Sequence, residues 1–278
     1  ISQKEKWRKN YFEKHIDNLL ELSGHNNEEK EIIVIWPEVA LTVYLNEQKE
    51  LIEYIKKKLG KKTTLITGGL RRSFTGEGFD IYNTLYVIQR DRVVYYDKRR
   101  LVPFGEFIPL RSFVSFWKLT PGKTDFSVGG KANYLTLDYK DKKINFEPSI
   151  CYEAIFQTSN ENKVMLIINI TNDAWFGNLY GPTQHLNASI FRSVEKGIPL
   201  IRSANSGISV ITDSNGKVLK KIGLNKRNFI QSEISLGTNS TFFIKNEKRI
   251  LIIFLILVFS LSLICDKIIK KRKSLKKM

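Results

Sequence analysis

The chain has 278 residues, of which 42% are hydrophobic, and its 45 Lys and Arg against 28 Asp and Glu give a formal net charge of +17. So large an apolar fraction excludes a disordered chain, and the length allows one large domain or two of average size. The two cysteines and three histidines lack ligand spacing, which excludes a disulfide framework and a Cys/His zinc site.

Strands and helices alternate along the first half of the chain. The apolar run at residues 31–38 predicts a buried strand that is ended by Trp36-Pro37 and presents Glu38. Apolar residues at helical spacing predict a helix over residues 46–59, with Gly60 as its stop. Clusters of β-branched and aromatic residues predict further strands at 64–67, 82–89 and 92–96.

The second half continues this alternation. Residues 134–138 and 143–146 predict a hairpin about Lys140-Asp141, which leads into Ser149-Ile150-Cys151. A predominantly apolar strand at 164–170 precedes a helix at 183–196, and two more strands are predicted at 199–203 and 208–212. Because both element types recur throughout, we predict an α/β fold with mixed sheets.

The last third of the chain contains a charge-free run at residues 250–265. As a helix this run covers about 24 Å, and the following residues extend it towards the roughly 30 Å hydrocarbon core of a bilayer. We therefore predict a transmembrane helix at 246–269; the alternative is a buried core helix.

Charge on either side of this segment predicts its orientation. Seven Lys and Arg follow residue 265, whereas Lys245, Lys248 and Arg249 precede the run. By the positive-inside rule, the basic tail at 270–278 is predicted to be cytoplasmic and the large domain to face the other side. The positive charge is not interleaved with aromatic residues in a recognisable nucleic-acid-binding module, so no nucleic-acid partner is predicted.

Several chemically capable side chains follow predicted strands. Cys151 comes directly after an apolar strand, where its thiol and the nearby backbone N–H groups can meet a reacting carbonyl. A cysteine in that position is more often a small buried apolar residue, and three scattered histidines are a poor supply of bases. Glu38, Lys98, Glu106 and Glu153 stand at comparable positions, although each alone is typical of a solvated surface charge.

Four segments resemble the nitrilase (carbon-nitrogen hydrolase) superfamily, and more narrowly its membrane-bound branch, the apolipoprotein N-acyltransferases. They are WPE at 36–38, YDKRRLVPFGEFIPLR at 96–111, ICYEAIF at 150–156 and NDAWFGNLYGPTQHLNASIFRSVEKGIPLIRSANSG at 172–207. The resemblance implies a nitrilase-like α-β-β-α sandwich at 1–245, followed by one C-terminal transmembrane helix. Residues 1–7 resemble the segment after the first strand of the family's catalytic domain, so this strand and the upstream transmembrane helices are expected to be missing.

The same resemblance implies roles for individual side chains. Glu38 corresponds to a general base, Lys98 to the lysine that stabilises a tetrahedral oxyanion, and Cys151 to the nucleophile. A thiol with an ordinary pKa of about 8.5 needs a base to take its proton, and a nearby ammonium favours the thiolate. Neither a metal nor another cofactor is implied, and supporting positions are implied for Glu106, Tyr152 and Glu153.

The implied reaction is a two-step acyl transfer in lipoprotein maturation. Cys151 would take an acyl chain from a membrane phospholipid as a thioester and pass it to the N-terminal amine of a diacylglyceryl-cysteine apolipoprotein. The implied location is the bacterial inner membrane, with the catalytic domain on the periplasmic side. Two alternatives stay open: a membrane-tethered amidase that uses water, and a non-catalytic truncated scaffold.

Lipid substrates require an apolar entrance to the site. The stretch 103–122 is too apolar for an ordinary exposed loop, and we expect its Phe113, Phe116 and Trp117 to face lipid. Trp175 and Phe176 are a second candidate rim. The alternative is that these side chains face inward and belong to the core.

Overall fold

Two β-sheets form the centre of the computed structural model, which describes residues 5–24, 30–76, 78–109, 124–156, 163–238 and 241–275, with side chains to residue 269. The first sheet contains β1 (Ile32–Ile35), β2 (Leu41–Tyr44), β3 (Thr63–Thr75), β4 (Gly78–Ile88) and β5 (Val93–Asp97). The second contains β6 (Leu135–Tyr139), β7 (Lys142–Ile150), β8 (Leu166–Asn172), β9 (Leu200–Asn205), β10 (Ser209–Thr212) and β11 (Val218–Ile222).

Both sheets are mixed. In the first, the order is β1-β3-β4-β5 with β2 also paired to β3, and β3 runs parallel to β1 but antiparallel to β4. In the second, the order is β11-β10-β9-β8-β7-β6, with β7, β8 and β9 parallel and the outer pairs antiparallel. The carboxyl ends of parallel strands meet at one edge, which brings the residues after β7 and β8 together.

Helices cover the outer face of each sheet. Along β3 and β4 the side chains alternate: Ile66 and Leu85 point into the core between the sheets, whereas Leu65 and Tyr86 point to α1 (Phe12–Leu22) and α2 (Lys49–Leu59). In the second sheet, α3 (Gly181–Lys196) packs on the opposite face through Leu186. The layers therefore run α-β-β-α, and the predicted fold is confirmed.

Local signals match several predicted elements. Gly60 has φ +89° and ends α2, and Lys140 and Asp141 have positive φ values of +47° and +59°, as a tight hairpin turn requires. The strand predicted at 64–67 is much longer, because β3 and β4 pair along a hairpin whose outer part is polar. Hydrogen bonds between β3 and β4 stabilise the extended backbone of this outer part, although its side chains do not show the apolar pattern of a strand. Helix α1 and strands β2 and β11 had no predicted counterpart.

A fourth helix, α4 (Phe242–Leu275), belongs to a separate unit that begins at Ser240. Its apolar part, Phe242–Ile269, has 28 residues and is long and apolar enough to cross a membrane. At 1.5 Å per residue it measures about 42 Å, more than the roughly 30 Å that a bilayer core requires. The helix begins before the predicted boundary at residue 246 and continues into the basic tail.

Close packing around Gly68 generates a test of the fold. A Cβ atom on Gly68 would lie 2.3 Å from the backbone nitrogen of Val39 and 2.7 Å from Cα of Glu38. We expect Gly68→Ala to lower the free energy of unfolding by about 1–3 kcal/mol and to displace Glu38. Gly130→Ala is the matched control, because nothing lies within 4 Å of its added Cβ. Equal thermal denaturation curves for the two variants would contradict this expectation.

Candidate active site

Three charged side chains meet in a buried group at one edge of the sheets. Nζ of Lys98 donates a hydrogen bond to Oε1 of Glu106 at 2.8 Å and lies 3.5 Å from Oε1 of Glu38. All three side chains are buried. Charges out of water need partners with good geometry, and here the ammonium lies between two carboxylates.

The amide of Asn83 joins the two carboxylates from the other side. Its Nδ2 donates to Glu38 at 2.8 Å and to Glu106 at 3.0 Å, while its Oδ1 has no hydrogen-bond partner among the described residues. Asn83 was missed in the sequence because it lies inside a predicted strand. A polar residue in a strand of apolar and aromatic neighbours was the available signal.

Strand ends and turns position these groups. Glu38 follows β1, and its Oε2 accepts a hydrogen bond of 2.8 Å from the backbone nitrogen of Asn172 at the end of β8. Lys98 follows β5 and is fixed by backbone hydrogen bonds to Asn83 and Gly129. Glu106 lies in a turn where its Oε2 accepts from the backbone nitrogen of Val102 at 2.9 Å. Both sheets therefore contribute to the site.

Cys151 begins the short 3₁₀ helix that follows β7, and it is 5% exposed. Its φ is +49°, the left-handed region, which costs a non-glycine residue on the order of 1–3 kcal/mol. The surrounding contacts must hold this conformation, and backbone strain of this kind is typical of a functional turn.

The environment of the thiol disfavours its ionisation. Burial and the negative charge of Glu38 raise the pKa of Cys151 to about 12, although Lys98 and a hydrogen bond with Thr171 act in the opposite direction. Lys98 thus favours the thiolate, in the predicted direction, but burial and the charge of Glu38 outweigh it. A base must take the proton as the sulfur reacts.

Lys98 remains charged. Burial by itself lowers the pKa of Lys98, but the negative charges of Glu106 and Glu38 outweigh it, so the pKa lies above its ordinary value. A fixed ammonium in a buried site stabilises negative charge that develops on a nearby oxygen. Glu106 thus keeps Lys98 both charged and oriented.

Glu153 holds the turn that carries Cys151. Its Oε2 accepts from the backbone nitrogen of Ile150 at 2.9 Å, and its Oε1 accepts from the hydroxyl of Tyr96 at 2.8 Å and the backbone nitrogen of Arg99 at 2.7 Å. It therefore ties the Cys151 turn to the segment that contains Lys98. Tyr152 instead points to the edge of Phe156, with ring centroids 4.9 Å apart.

A second hydrogen-bond network, which includes residues of α3, contacts the turn that carries Cys151. His185 on α3 places Nε2 at 3.0 Å from the backbone oxygen of Cys151 and Nδ1 at 2.9 Å from Asp173. Arg202 pairs with Asp173 at 2.8 Å, and Arg192 pairs with Glu195. The sequence offered few histidines as bases, and the contact of His185 with Cys151 is to its backbone oxygen.

Only part of the predicted lipid-facing set can be located. Phe113, Phe116 and Trp117 lie outside the described residues. Trp175 and Phe176 are 45% and 41% exposed, and the ring of Phe176 packs against His185 at 5.1 Å. Phe176 therefore contacts the histidine that bonds to the backbone of Cys151.

The chemistry that this arrangement permits is acyl transfer through a covalent intermediate. It combines a thiol that can act as a nucleophile, a carboxylate that can accept a proton and an ammonium that can stabilise an oxyanion. Within the part of the chain that the structure describes, no cluster of three or more His, Cys, Asp or Glu side chains could hold a metal ion.

The α-β-β-α sandwich and this buried group of cysteine, glutamates and lysine define a class of enzymes that act on carbon-nitrogen or related acyl bonds. Residues 3–241 match the carbon-nitrogen hydrolase family, and the chain belongs to that family. The resemblance inferred from the four sequence segments is thereby confirmed.

Curated relatives are named apolipoprotein N-acyltransferase. The protein of Rickettsia prowazekii is 37% identical over 279 residues, covering 96% of this chain and 55% of the relative. The protein of Rhizobium rhizogenes is 36% identical over 241 residues, covering 82% of this chain and 44% of the relative. The chain thus spans about half the length of the curated relatives it matches.

Solved structures show the same fold at low identity. A CN-hydrolase superfamily protein from Xanthomonas campestris has a TM-score of 0.52 and 18% identity, covering 86% of this chain and 89% of its own. A carbon-nitrogen hydrolase from Helicobacter pylori has a TM-score of 0.54 and 16% identity, covering 77% of this chain and 80% of its own.

The environment of Cys151 predicts an unusual pH profile for its alkylation. In a Cys265→Ser background Cys151 is the single thiol, because the chain has two cysteines. Thiolate is the reactive form, so with a pKa of about 12 the rate of iodoacetamide modification should rise steadily to pH 10 without a plateau. In urea, the same thiol should level off above its ordinary pKa of about 8.5. A plateau near neutral pH in the folded protein would contradict this.

Proposed function

We propose that the chain catalyses transfer of an acyl chain from a membrane phospholipid to the N-terminal amine of a diacylglyceryl-cysteine apolipoprotein. The observation that carries the proposal is the buried Lys98–Glu38 pair, which interacts electrostatically with the buried Cys151, in a chain similar over 96% of its length to a protein named apolipoprotein N-acyltransferase. Glu38, Lys98 and Cys151 are proposed as the catalytic residues, with Glu106, Tyr152 and Glu153 in support.

In the first half-reaction, the sulfur of Cys151 attacks the ester carbonyl of the phospholipid while Glu38 takes the thiol proton. The raised pKa of the thiol favours proton transfer that accompanies the attack. The carbonyl oxygen becomes negatively charged and is stabilised by the ammonium of Lys98. The carbon–oxygen bond then breaks, the leaving alkoxide takes the proton from Glu38, and a lysophospholipid departs.

In the second half-reaction, the lipoprotein amine attacks the thioester. Glu38 takes a proton from the attacking nitrogen, the carbon–sulfur bond breaks, and the proton passes from Glu38 to the sulfur as the amide is released. The cysteine returns to its thiol form, so no external reactant is needed. A buried thioester favours an amine over water, since exclusion of water prevents hydrolysis.

Exposed apolar side chains near the site support a lipid substrate. Trp175 and Phe176 are joined by two more exposed residues in the same short segment, Leu179 at 81% and Tyr180 at 78%. Contiguous exposed apolar surface is typical of a site that meets a membrane or an apolar ligand. The segment is proposed as the entrance for acyl chains.

The proposed location is the bacterial inner membrane, with the catalytic domain on the periplasmic side and the C-terminus in the cytoplasm. Support comes from the apolar helix Phe242–Ile269 and from the excess of basic residues after it. Phospholipid on the outer leaflet would then be available to the domain.

Intact mass spectrometry tests the acyl-enzyme. After incubation with phospholipid vesicles we expect the mass of one acyl chain on Cys151, and a synthetic diacylated lipopeptide should remove it and yield the N-acylated peptide. Cys151→Ala should abolish the adduct, whereas the matched Cys265→Ala should keep it.

Other outcomes would overturn the proposal in distinguishable ways. Rapid release of free fatty acid, or of ammonia from small amides, with no transfer to the peptide would indicate a hydrolase. The absence of any adduct from protein whose Cys151 still reacts with iodoacetamide would indicate a non-catalytic scaffold.

The entrance proposal predicts a substrate-dependent loss. The double variant Trp175→Ser and Phe176→Ser should reduce turnover of phospholipid in vesicles about tenfold, because burial of two aromatic rings in lipid contributes more than one kcal/mol. It should leave acylation by a short-chain, water-soluble ester nearly unchanged. Phe74→Ser is the control, since Phe74 is exposed at the tip of the β3–β4 hairpin. Equal loss on both substrates would refute a role in lipid entry.

A further inference from the structure

A second lysine lies next to the candidate site and has no role in the reaction described above. Lys6 is 2% exposed, and its Nζ donates a hydrogen bond of 3.0 Å to the backbone oxygen of Glu38. The residues that follow it, Trp7, Arg8 and Lys9, are exposed. Lys side chains are almost never fully buried unless they are paired, so the burial of Lys6 needs an explanation.

The backbone that Lys6 contacts is strained. Val39, directly after Glu38, has φ +44°, a conformation that is a genuine outlier for a β-branched residue. Gly68 packs against this turn so closely that it has no room for a Cβ atom. The direction of the Glu38 side chain depends on the conformation of this turn. The ammonium of Lys6 is hydrogen-bonded to the backbone oxygen of Glu38 in the same turn.

Lys6 also completes the charge balance of the buried group. The two carboxylates of Glu38 and Glu106 and the ammonium of Lys98 together have a net charge of −1. If the thiol is neutral, one further cation is needed to balance this charge. Lys6 supplies that cation. Removing it would make ionisation of a nearby thiol less favourable, because like charge disfavours a thiolate.

Lys6 interacts electrostatically with groups of the candidate site and with a histidine. Burial lowers the pKa of Lys6 to about 8, while the negative charges of Glu38 and Cys151 act in the opposite direction. On the other side, the pKa of His15 on α1 is lowered by burial and by neighbouring positive charges that include Lys6. The charge of Lys6 therefore interacts with Glu38 and Cys151 of the candidate site and with His15.

We propose that Lys6 is a positioning residue for the general base: its ammonium fixes the strained Glu38–Val39 turn and neutralises the buried site, so that Glu38 can accept the proton of Cys151. This assignment rests on the proposed function. It is nevertheless tested by alkylation of Cys151, a reaction that needs no lipid substrate.

The test compares Lys6→Met, Lys6→Arg and the exposed-site control Lys9→Met, all in the Cys265→Ser background. We expect Lys6→Met to slow alkylation of Cys151 by iodoacetamide about tenfold at pH 7, where Lys6 is charged, since loss of a neighbouring cation raises the thiol pKa by about one unit. Lys6→Arg keeps the charge and should stay within about threefold of the parent. Lys9→Met should match the parent.

Thermal denaturation separates positioning from a purely structural role. The fold lowers the pKa of Lys6 from its ordinary 10.5, so the charged form costs stability below about pH 8. Lys6→Met escapes this cost but loses the buried hydrogen bond to the Glu38 oxygen, so its unfolding temperature should stay within a few degrees of the parent. The proposal is overturned if Lys6→Met alkylates at the parental rate, if Lys6→Arg is as slow as Lys6→Met, or if slow alkylation comes with loss of cooperative unfolding.

Acyl transfer provides an independent readout. Lys6→Met should lower kcat for thioester formation about tenfold with KM unchanged, because Lys6 does not touch the substrate. If the parent forms no acyl adduct while the alkylation series behaves as expected, the proposed function fails and the assignment of Lys6 to the Glu38 turn survives. Parental kcat in Lys6→Met would overturn the assignment.

Discussion

The ion pair between Lys98 and Glu106, at 2.8 Å in the interior, is the interaction on which the rest of the site depends. A buried ammonium without a carboxylate partner would lose its proton or destabilise the fold. With Glu106 in place, Lys98 stays charged and can also face Glu38. The same pairing explains why Asn83 bridges both carboxylates, since adjacent negative oxygens need donors as well as a cation.

The turn that carries Cys151 is held by contacts on two sides. Glu153 connects it to the segment after β5, and the His185–Asp173–Arg202 network connects it to α3 and β9. A cysteine at φ +49° persists only where its surroundings over-determine the backbone. Part of the buried polar interior of this domain therefore serves the position of one sulfur atom.

The raised pKa of Cys151 favours the protonated thiol, the form that is less prone to oxidation and alkylation. In the proposed reaction, proton transfer to Glu38 accompanies attack of the sulfur on a carbonyl carbon. Burial of Cys151 would also keep water from the proposed thioester, which suits transfer to an amine better than hydrolysis.

The pattern of the sequence determined an α/β fold with mixed sheets and an apolar C-terminal helix, because both depend on local periodicity. The α-β-β-α layers and the choice of Glu38, Lys98 and Cys151 came from contiguous motifs that resemble a known family. Asn83, His185 and Lys6 emerged only from the tertiary structure. Asn83 meets Glu38 from 45 positions away, His185 meets Cys151 from 34, and Lys6 meets Glu38 from 32. Such contacts depend on sheet register and helix packing, which no short stretch of residues determines. The raised pKa of Cys151 likewise depends on burial, which the tertiary structure creates.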